Sequence, residues 1–217
     1  MEIKTDYNAL LKEELTNKGY IILKKNEIKD ALTVCTKAFE DYELYLHIKP
    51  KFNEKHWIGF KTSVYKAMYK EMVIFTDPTR SCCCAICGNG YEKTKATSYI
   101  ANGILKSVFT LGIKAIARFA RFDDFICDLR KKHTNLNCIY CFDISVKKSE
   151  QGKGIAKKIN KTLQEFSDKY KRDLFFETLS AKNAEIYKNH GFELVEEIKL
   201  PDNDKITVYC FMYKHKN

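Results

Sequence analysis

Two glycines one residue apart, in Gln151-Gly152-Lys153-Gly154-Ile155-Ala156, are the clearest start for chemistry in this chain. The small side chains leave backbone N–H groups uncovered just before a segment in which Ile155, Ile159, Leu163, Phe166 and Tyr170 recur at helical spacing. Uncovered amides at the start of a helix form a site for an anion. Lys153, Lys157 and Lys158 fall in the same first turns, where the helix dipole disfavours each cation by roughly 0.3–1 kcal/mol. A bound anion would compensate them. A Walker-type phosphate loop would need glycine at 147 and Ser or Thr at 154, but those residues are Lys147 and Gly154. A dinucleotide fingerprint would need a third glycine where Lys157 stands.

Cys84-x-x-Cys87 and Cys138-x-x-Cys141 resemble zinc spacing, but both pairs fall in strand-like runs. Residues three apart on a strand face opposite ways, so no metal is expected there. Histidines 47, 56, 133, 190 and 215 show no paired metal spacing, and no Gly-x-Ser-x-Gly element supports a serine hydrolase.

The elements that must position these residues are legible from periodicity. Tyr7, Leu10, Leu11 and Leu15 predict a helix stopped by Gly19, and Tyr20 to Leu23 a buried strand. Asn26 is expected to cap a helix with the apolar face Ile28, Ala31, Leu32, Cys35, Ala38 and Phe39; a further helix follows through Trp57, Phe60, Val64 and Met68. Val73–Phe75 and Cys82–Ile86 flank the turn Asp77-Pro78-Thr79 as a hairpin. Residues 98 to 132 read as helical, broken at Gly103 and Gly112, and the cations Lys106, Lys114, Arg118 and Arg121 exclude a membrane span. Strands are expected at Cys138–Val146 and Leu174–Leu179. A helix capped by Ser180 should end at Gly191, and a final hairpin should turn around 201–204.

With the loop placed between a strand and a helix, Val146-x-Lys148-x-x-Gln151-Gly152-x-Gly154-x-Ala156 resembles the acyl-CoA loop of the GNAT superfamily of N-acetyltransferases. Asn183-Ala184-Glu185-Ile186-Tyr187-x-x-x-Gly191-Phe192 is similar to that family's second signature, and Ala38-Phe39 with Glu177-Thr178-Leu179-Ser180 is similar to a microbial and fungal-type branch with unassigned acceptors. The departures are Lys148, where many members have proline, and the cysteine-rich third strand. The resemblance implies an α/β (α+β) acyltransferase fold: a mixed, mostly antiparallel sheet with a splayed parallel strand pair, flanked by helices. It implies one domain over 1–217 with a helical insertion at about 98–132.

The resemblance further implies acetyl-CoA as cosubstrate. Backbone groups along Ile144, Ser145 and Val146 would pair with pantetheine. Amides of Gln151, Gly152, Lys153, Gly154, Ile155 and Ala156, together with Lys157, would hold the pyrophosphate. Asn183 would bond the pantetheine arm, and Tyr187 would serve as general acid to the departing thiolate. Glu177 and Asp143, on the two strands flanking the gap, are both candidates for the base. The acceptor would be a primary amine of a small molecule or peptide, and the alternative is a module that binds acyl-CoA without transferring it.

The 217 residues carry a formal net charge of +10, which suits nucleic acid, an anionic surface or a phosphate-bearing ligand. The lysines are scattered and not interleaved with aromatics as in a nucleic-acid patch, so neither nucleic acid nor membrane is expected as a partner. So basic a surface repels polycations unless an acidic pocket intervenes; Glu40, Asp41 and Glu43 form the tight acidic group of the amino-terminal half. No secretory pattern opens the sequence and nine cysteines include the adjacent Cys82, Cys83 and Cys84, so a cytoplasmic protein with reduced thiols is expected, as monomer or homodimer.

Overall fold

Strand β3 (Cys82–Cys87) is buried along its whole length, and the sheet is built outward from it in a computed structural model that describes residues 5–134 and 136–216. A strand covered on both faces must be apolar throughout, and cysteine supplies small apolar volume where helices press from either side. Cys83, Ala85 and Cys87 join one core, and Cys82, Cys84 and Ile86 the other. Cys84 and Cys87 therefore point to opposite cores, as do Cys138 and Cys141.

The sheet runs β1 (Ile21–Ile22), β2 (Val73–Thr76), β3, β4 (Ile139–Val146), β5 (Leu174–Thr178), β7 (Asn203–Tyr213), β6 (Glu193–Leu200). Among the described residues every neighbouring pair is antiparallel except β4–β5. One face carries α2 (Ile28–Cys35), α3 (Glu43–Ile48), α4 (Glu54–Met68) and the helices α5 (Ala96–Ala101), α6 (Ile104–Leu111) and α7 (Ile113–Thr134). The other carries α1 (Tyr7–Asn17), α8 (Ile155–Tyr170) and α9 (Ala181–Asn189). No helix among the described residues is long and apolar enough to cross a membrane. This is the mixed sheet with one parallel pair that the sequence led us to expect.

Local chemistry accounts for most boundaries. Asp6 caps α1 through Asn8 and Ala9 N–H, Ser180 caps α9 through Asn183 N–H, and Gly191 turns out of α9 at φ +81°. Gly103 and Gly112, both at positive φ, separate α5, α6 and α7 at the two breaks the sequence predicts. Two details differ. Asn26 is not the cap of α2, whose first turn is preceded by Glu27 without a side-chain cap bond. The final hairpin is also tighter than expected, because the strands extend to Leu200 and Asn203.

Strict alternation along β4 would place Asp143 on the same face as Cys141. Instead Ala85 pairs with Asp143 while Ile86 pairs with Cys141, leaving Phe142 as an extra residue in a bulge. A bulge reverses the alternation beyond it. It turns Asp143 and Ser145 toward α4, and Ile144 and Val146 toward α8.

Candidate active site

Strands β4 and β5 are paired only at Ile139–Leu174 and Tyr140–Phe175. Beyond those pairs β4 stays on β3 and β5 stays on β7, so the two strands part and expose facing edges. Lys147 N–H donates to Ser81 O on the β3 side at 2.8 Å. Alternation along the strand then turns the main-chain groups of Ile144 and Val146 toward the gap. Ser145 is the exception among the three: its main chain faces β3, and its side chain is taken up by Asp143 (2.8 Å) and Lys61 (3.0 Å) on the α4 side. The bulge at Phe142 is the physical reason.

After a 3-10 turn at Lys148–Glu150 the chain enters the glycine loop. Gly152 and Gly154 adopt φ +80° and +84°, and Gly154 begins α8 without a side-chain cap. A left-handed pair of this kind suits glycine because any other residue pays about 1–2 kcal/mol there. Lys158 N–H makes the first helical bond, to Gly154 O at 2.9 Å. Among the described residues the amides of Gly152, Gly154, Ile155, Ala156 and Lys157 therefore have no partner. Gln151 and Lys153 amides reach back to Lys148 O and Glu150 O only at 3.4 Å, and the Gln151 side chain bonds Val146 O. Lys153 pairs with Glu150 at 3.0 Å, while Lys157 and Lys158 form no ion pair among the described residues.

Asn183 and Tyr187 lie one turn apart on α9, which packs on β5 and β7. The Tyr187 ring packs on Phe176 of β5 at 4.5 Å between centroids. Its hydroxyl and the Asn183 side-chain amide make no hydrogen bond among the described residues. Burial pushes the Tyr187 hydroxyl well above the ordinary tyrosine range, and Cys141, Tyr42 and Asp143 on its charged side add to this.

The two carboxylates on the parted strands differ in setting. Glu177 accepts from Tyr140 Oη at 2.9 Å on Oε1, while Oε2 is buried without a partner. Burial pushes its carboxyl up to about 7, against the opposing pull of Arg130 and of the Tyr140 hydrogen bond. Arg130, 1% exposed, stacks over Tyr140 at 4.0 Å and donates to Tyr91 O and Glu92 O, so α7 braces the glutamate through the tyrosine. Asp143 Oδ2 instead collects three donors: Lys61 Nζ at 2.8 Å, Ser145 Oγ at 2.8 Å and Tyr65 Oη. Burial works against the Lys61 cation, but the Asp143 charge outweighs it and holds the lysine above its usual range. Of the two candidate bases, Glu177 has a free buried oxygen and Asp143 is committed to an ion pair.

A strap from the amino-terminal half closes the open end of the parted strands. Glu40 and Asp41 (3.6 Å) ion-pair with Lys148 just past β4, and Tyr42 Oη accepts from Leu179 N–H (3.0 Å) just past β5. The acidic pair of the sequence is thus partly spent on Lys148. Sequence reasoning missed Lys61, Tyr65, Tyr42, Tyr140 and Arg130. Lys61 left a signal, a charge inside the apolar stripe Trp57, Phe60, Val64 and Met68; Tyr42 left none.

No family model and no curated protein matches the sequence. Solved structures do match the fold. A protein of Corynebacterium glutamicum described as histone acetyltransferase HPA2 and related acetyltransferase superposes with TM-score 0.58 at 10% identity, over 91% of this chain and 96% of that one. An N-acetyltransferase of Staphylococcus aureus gives 0.55 at 13% identity, over 89% and 99%. The polyamine N-acetyltransferase of Drosophila melanogaster, which forms N-acetylagmatine, gives 0.54 at 8% identity, over 90% and 98%. The chain has the fold of the GNAT-type acetyltransferases.

Proposed function

We propose that this chain is an N-acetyltransferase that moves an acetyl group from acetyl-CoA to a primary amine of a small molecule or peptide. The observation that carries the reading is the set of amides of Gly152, Gly154, Ile155, Ala156 and Lys157, unpartnered among the described residues, beside the parted edge of β4. Orphan donors at a helix start suit a pyrophosphate, and the gap-facing main-chain groups of Ile144 and Val146 suit the amide-bearing pantetheine arm once the Gln151 side chain yields Val146 O. Asn183, one turn before Tyr187 on α9, would bond that arm. The similarity of fold to acetyltransferases of 8–13% identity supports the same reading.

The chemistry asks for two proton movements. A lysine-like amine is neutral in only about one molecule in 2,500 at pH 7, so a base must take a proton before or during attack. Glu177, at about 7 and with Oε2 free, is matched to that task at neutral pH. The amine nitrogen then bonds the acetyl carbon, the carbon–sulfur bond breaks, and the thiolate, of ordinary pKa about 8.5, takes a proton from Tyr187. Burial keeps Tyr187 protonated and able to donate at the sulfur, and the proton that Glu177 took from the amine returns through solvent to Tyr187, so that the protons balance. Asp143, neutralised in its ion pair with Lys61, takes no part in these proton movements.

The test is thiol release from acetyl-CoA across a panel of amines, amino acids, peptides and antibiotics. Release above the hydrolysis blank with at least one amine is expected. Tight binding of acetyl-CoA with no release for any amine would replace transfer by a sensing role.

A further inference from the structure

The helices between β3 and β4 carry an apolar face that nothing among the described residues covers. Phe109 is 90% exposed, Ile113 72%, and Leu105 and Ile100 54% each. On α6 the stripe Ile104, Ser107 and Leu111 is turned inward, whereas Leu105 and Phe109, one turn apart, point out. Ile113 opens α7 just past the Gly112 break. Large side chains this exposed are unusual unless something covers them.

Charge narrows what that something is. From residue 93 to 122 the chain holds Lys93, Lys95, Lys106, Lys114, Arg118 and Arg121 and no Asp or Glu. Lys93 is spent on Asp124 and Arg121 on Asp202, and Arg118 donates to His47 O. Lys95, Lys106 and Lys114 form no ion pair among the described residues, and Lys106 and Lys114 are interleaved with the apolar tips. The acidic residues of α7, Asp123, Asp124 and Asp128, come only after this stretch. A second copy laid symmetrically on the face would set these lysines against their own kind.

We infer that this face docks on an anionic lipid surface, with Leu105, Phe109 and Ile113 entering the interfacial region and Lys106 and Lys114 at the level of the phosphates. Protruding apolar tips ringed by cations suit a bilayer, which yields to them, better than a folded partner, which would need a matching groove. The expectation of no membrane partner rested on the absence of a spanning segment and of a gathered basic block; the exposure of these side chains was not visible to it. This inference is independent of acetyl transfer.

The test is co-sedimentation of the full chain with vesicles of phosphatidylcholine alone or mixed with phosphatidylglycerol. Binding to the mixed vesicles only, reversed by salt, is expected. Phe109→Ser/Ile113→Ser and Lys106→Glu/Lys114→Glu should each weaken it by about tenfold or more while leaving the melting temperature unchanged, because all four side chains are exposed. No binding to mixed vesicles, or undiminished binding by either variant, would overturn the proposal. A dimer in solution that the Phe109→Ser/Ile113→Ser variant dissolves would overturn it too, by assigning the face to a second copy.

Discussion

Tyr140 Oη stands 2.9 Å from Glu177 Oε1, joining the last paired residue of β4 to a residue of β5 just beyond the point where the strands part. The contact holds one carboxylate oxygen and leaves the other without a partner among the described residues, and on this the proposed role of Glu177 as base rests.

Replacing Glu177 by Gln should lower kcat/KM by roughly 100-fold. The wild-type profile of kcat/KM should rise through a pKa near 7, and that limb should vanish in the variant, while acetyl-CoA affinity stays within about twofold. A variant that keeps the limb would assign it to another group.

The same residue gives a stability prediction of definite sign. Its folded pKa of about 7 lies above the ordinary 4.5, so the folded state binds the extra proton. Its contribution is complete below about 4.5 and is lost as pH rises through about 7. Glu177→Gln should therefore gain stability relative to wild type on going from pH 5 to pH 8, by about 1–3 kcal/mol in urea denaturation.

Tyr187→Phe removes a hydroxyl that has no protein partner among the described residues. Packing on Phe176 is kept, so stability should hardly change. Turnover should fall by roughly 100-fold with acetyl-CoA affinity intact. Unchanged turnover would remove Tyr187 as the acid.

Lys61→Met leaves the Asp143 carboxylate half-buried without its cation. A loss of about 3–5 kcal/mol is expected, as for other broken buried pairs, and Lys61→Met/Asp143→Asn should recover part of it. Chemical denaturation of the two variants reads the difference.

All nine cysteines are buried and unpaired, and burial raises the thiols of Cys83 and Cys84 well above the usual range. A thiol reagent at neutral pH should label almost none in the native protein and all nine after unfolding. Rapid native labelling of Cys82, Cys83 or Cys84 would contradict the packing of β3.

How far the sequence could be read follows from what each feature depends on. The glycine loop, the helix behind it, the Ser180 cap and the Gly191 stop depend on residues within a few positions, and each stands where periodicity placed it. The strand parting, by contrast, is set by which partner each strand keeps over long separations. The reversal at Phe142 needs the register against β3, which no local pattern in Cys138–Val146 reveals. The same holds for Lys61 meeting Asp143 across 82 positions and Tyr42 meeting Leu179 across 137. Their place on the two strands flanking the expected gap put Asp143 and Glu177 on equal footing; their different surroundings come from neighbours that only the fold assembles.

The most direct test is an amide nitrogen–proton correlation spectrum of the labelled protein titrated with CoA. The account predicts that the resonances of Gly152, Gly154, Ile155, Ala156 and Lys157 shift together and saturate at one equivalent. If those five amides stay in place while CoA binds elsewhere, or if nothing shifts at all, the cradle is not a pyrophosphate site and the account is wrong.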